Sequence, residues 1–322
     1  MKDWLEKRAS SVADGLMCSL MNRLQWKLRH LACTGEELEN YLAECESFSR
    51  EEFFSIPGVP EMRVDGGRIC TWPTPQPSGY PENDIARAEI FWCPGGRNAP
   101  TVFLLHALMS SHARGYYKLA RQFNAMGWNA VFPHLPYHYS RVPQGHQNGA
   151  LAVTANLIRN GEGMRQAVRE LRQLKAWFAS QGVKEFGLLG TSYGGWAGAL
   201  TSFLEEDWRF LALVQPIANV NRAIWDNPAA ASIRKILMAR GIGRNAAWRH
   251  RHLTSPLDGV PAMNSENIVL CSGVYDKVSP PFDLQNLKQQ WGGAQLVEVR
   301  QGHFGYRAIP ATMQAILPLV NN

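Results

Sequence analysis

The sequence predicts an α/β fold, a mainly parallel sheet with helices on both faces. Three observations carry that prediction. Short apolar runs such as Pro100 to Leu105 and Phe210 to Val214 alternate with longer amphipathic stretches. One run, Glu185 to Leu189, passes through Gly190-Thr191-Ser192-Tyr193-Gly194-Gly195 straight into an Ala/Leu-rich helical pattern from Trp196 to Leu204. The loops after three of these runs carry, in chain order, Ser192, Asp276 and His303.

Residues 4 to 31 place Val12, Leu16, Leu20, Leu24 and Leu28 at i, i+4 spacing, with Met17 and Met21 beside them, which predicts a helix with one apolar face. The helix also carries Lys2, Lys7, Arg8, Arg23, Lys27 and Arg29. Two placements follow: the apolar face packs on the main domain, the ordinary use of such a stripe, or residues 1–31 make a peripheral contact with an anionic membrane. Thr34, a candidate N-cap, opens a second helix to about Glu46. Residues 56–87 are rich in Pro and Gly, with a hairpin expected over Met62 to Trp72 around Asp65-Gly66-Gly67. The expected division is residues 1–87 as a helical extension with hairpin and linker, and residues 88–322 as the main domain.

Ala88 to Cys93 and Pro100 to Leu105 are expected strands, followed by a helix over Gly115 to Met126 and a strand over Asn129 to Phe132. Arg165 to Ala179 sets Val168, Leu171, Leu174 and Phe178 on one helical face. After the Glu185–Leu189 strand and its helix come strands at Phe210 to Val214, Asn267 to Cys271 and Gln295 to Val299, with helices at Phe282 to Trp291 and Arg307 to Leu319. Residues 216–261 interrupt the rhythm and read as a helical cap over the carboxyl edge of the sheet, where ligands of such sheets bind. The cap holds Arg222, Arg234, Lys235, Arg240, Arg244, Arg249 and Arg251 against Asp226 and Asp258. Either these form a solvated basic surface, or they attract an acidic substrate.

The composition narrows the classes. The chain has 322 residues, 45% hydrophobic and 19% charged, enough for a sizeable core. A formal charge of +6 without dense Lys/Arg runs argues against a nucleic-acid partner. Cysteines at 18, 33, 45, 70, 93 and 271 fit neither a zinc site nor a disulfide framework, and reduced thiols in a cytoplasmic protein are expected. The start of the chain lacks the apolar core of a secretory signal, and no stretch has the roughly 18 apolar residues of a membrane span.

A serine hydroxyl needs a base and an anion-stabilising site to act as a nucleophile. A tight strand-to-helix turn pushes Ser192 out at the end of the sheet. Of nine histidines, His303 is best placed as the base, on a loop after the last strand and before the last helix. Between them, Asp276 follows a strand end, unlike Asp207, Asp226 and Asp258, and can hold the imidazole in one tautomer. The oxyanion site needs two backbone N–H donors. One is expected from Tyr193, the other from the His106-Ala107-Leu108-Met109 loop, with Leu108 ahead of Ala107. His106, Ala107, His134 and Tyr137, at the same edge, are expected pocket residues. His134 and His138 lack an acidic companion, so a pocket wall is preferred to a metal site. Arg114 and Arg141 could bind an anion but are more commonly structural, and Cys271 reads as buried. The glycines around Ser192 do not fit the dinucleotide spacing. No metal or organic cofactor is expected.

From Ala88 to Leu319 the chain resembles the α/β-hydrolase superfamily. The resemblance rests on Gly190-Thr191-Ser192-Tyr193-Gly194, the Gly273–Asp276 loop, Gly302-His303 and the strand-end His106. It implies an α/β-hydrolase fold with Ser192, Asp276 and His303 as a triad. Ala107 departs from the glycine that many members carry after the histidine, and the N-terminal helices lie outside the shared fold. The implied reaction is cleavage of a small-molecule carboxylic ester or thioester through an acyl-enzyme. Ser192-Tyr193-Gly194-Gly195 also resembles the elbow of prolyl-oligopeptidase-like enzymes, which makes a peptidase or amidase the alternative. A second alternative is a non-catalytic or membrane-peripheral binding protein on the same fold.

Overall fold

The computed structural model describes residues 2–321. Nine strands form one sheet: β1 (Arg63–Asp65), β2 (Ile69–Pro73), β3 (Ile85–Phe91), β4 (Thr101–Leu105), β5 (Asn129–His134), β6 (Phe186–Thr191), β7 (Trp208–Val214), β8 (Ile268–Gly273) and β9 (Gln295–Val299). Their order is β1-β2-β3-β5-β4-β6-β7-β8-β9. The first three strands pair antiparallel, β3 meets β5 antiparallel, and every pair from β5 to β9 is parallel.

Among the described residues twelve α-helices accompany the sheet: α1 (Lys2–Lys27), α2 (Gly35–Glu46), α3 (Arg50–Phe53), α4 (Arg114–Ala125), α5 (Leu157–Ser180), α6 (Tyr193–Ser202), α7 (Val220–Trp225), α8 (Ala231–Ala239), α9 (Ala246–Arg249), α10 (Arg251–Thr254), α11 (Pro281–Trp291) and α12 (Ala308–Asn321). The strand β4 shows how both faces become covered. Its residues alternate sides, as a strand requires. Val102 and Leu104 pack with Leu119 and Phe123 of α4 and Ile316 of α12. Phe103 and Leu105 pack with Leu171 and Leu174 of α5 and Leu200 of α6. With both faces buried, β4, β5, β6 and β8 have every residue buried, which explains their unbroken apolar runs.

Several expectations change in detail. The hairpin forms at the expected place, but β2 pairs with β3, so it extends the main sheet instead of lying in a linker. A boundary at 87/88 therefore falls inside β3. Helix α5 starts at Leu157, capped by Asn156, whose side chain accepts from Arg159 N. The cap is helical: α7 to α10 lie between β7 and β8.

Helix α1 packs on the body with the unexpected side. Asp14, Cys18 and Gln25 are buried, whereas Val12, Leu16 and Leu20 are 59%, 63% and 57% exposed. Only Met21, Leu24 and Leu28 of the expected face are partly covered. Periodicity identified a stripe, and polar contacts determine which side turns inward. Among the described residues no helix is long and apolar enough to cross a membrane.

Candidate active site

The strand β6 lies between β4 and β7, so its carboxyl end opens in mid-sheet. Ser192 follows it directly, with φ 50° and ψ −109°, and α6 begins at the next residue. A positive φ at a residue with a Cβ is strained and persists only when its surroundings hold it. Here Ser192 N donates to Val214 O at 2.8 Å, and Trp196 N donates to Ser192 O at 2.9 Å. The turn also needs its glycines. A Cβ on Gly190 would lie 2.6 Å from Gly194 O, and one on Gly194 would lie 2.6 Å from His106 O.

The three residues expected at this edge meet. Ser192 Oγ is 2.8 Å from His303 Nε2, and His303 Nδ1 is 2.8 Å from Asp276 Oδ2. A carboxylate only accepts, so Nδ1 carries the proton and leaves Nε2 free to accept from the serine hydroxyl. Asp276 is 3% exposed. Its Oδ1 accepts from Val278 N at 2.7 Å and from Ser279 N at 2.8 Å. Its Oδ2 also accepts from the side-chain amide of Gln215. Burial pushes the His303 imidazole down, but the Asp276 carboxylate and, more weakly, that of Asp14 outweigh it and leave its pKa raised.

Below this group runs the loop after β4, and its hydrogen bonds sort the candidate oxyanion donors. Ala107 N donates to the Tyr116 hydroxyl at 2.9 Å. That hydroxyl also bonds Thr191 Oγ1 at 2.7 Å. Met109 N donates to His138 Nε2 at 3.1 Å. Leu108 N and Tyr193 N have no acceptor among the described residues, and both residues line the cavity in front of Ser192. The uncommitted N–H groups are therefore those of Leu108 and Tyr193, with Ala107 engaged.

Of the expected pocket residues, only Ala107 lines that cavity. His106 is fully buried behind the loop, where its Nε2 accepts from Leu135 N at 3.1 Å. His134 bonds Ser140 Oγ at 2.8 Å and Glu89 Oε1 at 3.3 Å. Tyr137 is buried with a φ of 66° and packs in the main core. His134 and Tyr137 lie away from the cavity, while His106 supplies the acceptor that a backbone N–H at the strand end needs. His138 does the same, and burial pushes its pKa down to about 4. Among the described residues no group of three or more His, Cys, Asp or Glu is arranged to hold a metal ion. Arg141 is buried in an ion pair with Glu170 at 2.6 Å, Arg114 is exposed outside the cavity, and Cys271 is fully buried.

The cavity measures about 980 Å³, at the upper end of the usual ligand-pocket range of roughly 300–1,000 Å³. The cap roofs it with Val220, Ile224, Ala230 and Ile233, and α1 contributes Met21 and Gln25. Lys118 is its one Lys, Arg, Asp or Glu among the described residues. The cap's arginines point elsewhere. Arg249 pairs with Glu39 and Glu46, Arg251 with Asp258, Arg222 with Asp283, and Arg240 donates to Ala32 O and Cys33 O. The notion that they attract an acidic substrate is thus not supported: Arg222, Arg240 and Arg249 tie the cap to the rest of the chain, and Arg251 pairs within the cap.

Three contributors escaped the sequence reading. Gln215 sits at the end of β7 with a φ of 47°, Tyr116 lies on α4, and Asp14 on α1 accepts from the backbone of the histidine loop. A polar residue at a strand end, Gln215, was the available hint, and it names no partner.

No family model matches the chain. An uncharacterized protein of Mycobacterium tuberculosis is 29% identical over 204 residues, 60% of this chain and 46% of that protein, so the chain spans about half the length of the curated relatives it matches. Among solved structures, acetyl xylan esterase 1 from Thermoanaerobacterium is similar with a TM-score of 0.60 at 17% identity, covering 91% of this chain and 98% of that one. An acylaminoacyl peptidase of Pyrococcus horikoshii is similar with a TM-score of 0.52 at 14% identity, over 80% of this chain and 40% of that one. At these identities the likeness is one of fold.

Proposed function

We propose that this chain, which has the α/β-hydrolase fold, is a serine hydrolase that cleaves carboxylic esters or thioesters of a bulky apolar acyl group. The observation that carries the reading is the continuous hydrogen-bonded line from Ser192 Oγ through His303 to Asp276, with both links at 2.8 Å.

The reaction runs in two halves. Ser192 Oγ bonds to the substrate carbonyl carbon while its proton passes to His303 Nε2. The carbonyl oxygen becomes an anion facing the N–H groups of Leu108 and Tyr193, which stabilise it as it forms. The carbon–oxygen or carbon–sulfur bond then breaks, and His303 gives its proton to the departing alcohol or thiol. Water attacks the acyl-serine with His303 again taking the proton. The acid leaves and Ser192 recovers its hydrogen. Asp276 stays ionised throughout and stabilises the imidazolium.

The cavity supports one acyl class over another. Apolar walls and about 980 Å³ favour a large hydrocarbon group over acetate. The peptidase alternative is supported by the Ser192-Tyr193-Gly194-Gly195 elbow, but the cavity has no carboxylate to hold a substrate amino group among the described residues. The test compares the chain with Ser192→Ala on p-nitrophenyl esters of increasing acyl length and on aminoacyl amides, with a fluorophosphonate probe alongside. The alanine variant should lose turnover by roughly 10⁴-fold or more and lose labelling. Equal turnover in the variant would remove Ser192 from the chemistry.

A further inference from the structure

Helix α1 precedes the alternating α/β pattern, yet its inner face bonds both loops that bring His303 and Asp276 together. Asp14, near its middle, is 2% exposed. Its Oδ2 accepts from His303 N at 3.0 Å, and its Oδ1 accepts from Phe304 N at 3.3 Å. The fit is close: a Cβ on Gly302 would lie 2.5 Å from Asp14 Oδ2. In the stretch of α1 before Asp14, further contacts hold the same two loops. Glu6 pairs with Arg307 at 3.1 Å, Lys277 Nζ donates to Ser11 Oγ at 3.3 Å, and the Tyr275 hydroxyl donates to Asp3.

The orientation of α1 is a second observation. Burying a carboxylate is costly unless its hydrogen bonds are made, whereas burying leucine is favourable. A helix that served only as packing would turn Val12, Leu16 and Leu20 inward. Instead these are exposed and Asp14 is enclosed. The inward side is the one that reaches the histidine loop.

We propose that Asp14 is a positioning residue for His303, and that α1 through it forms part of the site. The inference rests on the serine-hydrolase reading above. Hydrogen bonds to an ionised acceptor are stronger than neutral ones, and two of them on consecutive N–H groups fix the peptide from which the imidazole projects. The ring then stays within reach of Ser192 and Asp276. Asp14 also places negative charge near the imidazolium that forms when His303 takes the serine proton. The titratable groups facing it are His303, Asp276 from the loop after β8, and Cys18 one turn along α1, with Lys277 nearby. Burial pushes the Asp14 carboxyl up, and the two N–H bonds offset that only in part, so its pKa stays raised.

The experiment uses the full chain with Asp14→Asn, Asp14→Ala and, as a control on the outer face, Leu16→Ser. Ser192-dependent ester turnover is measured across pH, together with thermal unfolding. Asp14→Asn keeps the volume and removes the charge. It should lower kcat about 10- to 100-fold with KM within about twofold, since small misplacement of a reacting group costs on this scale. The acid limb of its kcat/KM profile should move to lower pH, because His303 loses a charge that favours its protonated form. Asp14→Ala should lose at least as much, and Leu16→Ser should match the parent. If Asp14→Asn, assayed below its melting temperature, keeps the parent's kcat and acid limb, Asp14 is merely structural and the inference fails. If turnover survives Ser192→Ala, the hydrolase reading itself fails. Loss in Ser192→Ala with no change in Asp14→Asn isolates the failure to this inference.

Discussion

The Gln215 side-chain amide donates to Asp276 Oδ2, the same oxygen that meets His303 Nδ1. Gln215 also donates to Gly302 O at 3.0 Å and accepts from Gln301 Nε2 at 2.8 Å. One neutral side chain therefore ties the carboxylate to the loop that carries the histidine. Gln215→Leu removes those bonds and keeps similar bulk. Leaving buried partners unpaired costs about 1–3 kcal/mol of stability. Turnover should fall by roughly 10-fold or more as the imidazole loosens. Gln215→Glu should be worse than leucine at neutral pH, because it sets a second carboxylate against Asp276. Denaturation curves and steady-state kinetics read both effects, and wild-type behaviour of Gln215→Glu would show that the amide does not govern Asp276.

The pH dependence follows from His303. Its pKa is raised: burial acts downward, and the charge and hydrogen bond of Asp276, with Asp14, act upward and prevail. The base must be neutral to accept the serine proton. A raised value means the ring is protonated at higher pH than an ordinary histidine, so kcat/KM should fall on acidification with an apparent pKa above about 6.5. The same sign applies to stability. Protonation of His303 contributes fully below the unfolded value, and that contribution is lost as pH rises through the folded one. A limb at or below the ordinary histidine value would contradict this assignment.

Tyr116→Phe tests the loop after β4. The hydroxyl accepts from Ala107 N and bonds Thr191 Oγ1, holding that loop against the end of β6. Phenylalanine keeps the ring and orphans a backbone donor, at a cost of about 1–3 kcal/mol. The freed loop no longer presents Leu108 N at a fixed place, so kcat should fall about 10-fold or more while KM changes little. A variant that loses stability but keeps kcat would take Leu108 out of the oxyanion role.

The legible parts were those with short-range causes. Strands β4, β5, β6 and β8 announced themselves because both faces are buried, so their apolar runs are nearly continuous. The Gly190–Gly194 turn was readable because Gly190 and Gly194 leave no room for a Cβ. Asp276 and His303 could be chosen because loops after parallel strands share one edge. Asp14 could not, since its partner lies 289 residues away and nothing local distinguishes it from a solvated acid. The side of α1 that packs was misread for the same reason. Three polar residues at the edge, His106, His134 and Tyr137, looked like pocket walls, but their partners are backbone and side-chain groups behind the loops.

The cavity gives the sharpest handle on substrate class. Ile224 and Ile233 line its roof, and among the described residues Lys118 is the one Lys, Arg, Asp or Glu in the lining. A bulky side chain in the roof shortens the space for the acyl group and leaves Ser192, Asp276 and His303 unchanged. Ile224→Trp should therefore divide substrates by length. An acetyl ester needs none of that volume, so its kcat/KM should stay within about threefold of the parent. A long-chain ester loses the burial of its distal methylenes, each worth about 0.8 kcal/mol, so excluding three of them costs roughly 2.4 kcal/mol, about 60-fold in kcat/KM. The ratio of the two rates is insensitive to the fraction of active protein, which removes partial misfolding as an explanation. Equal loss on short and long esters would mean that the acyl chain lies elsewhere, and that the cap roofs the leaving group instead.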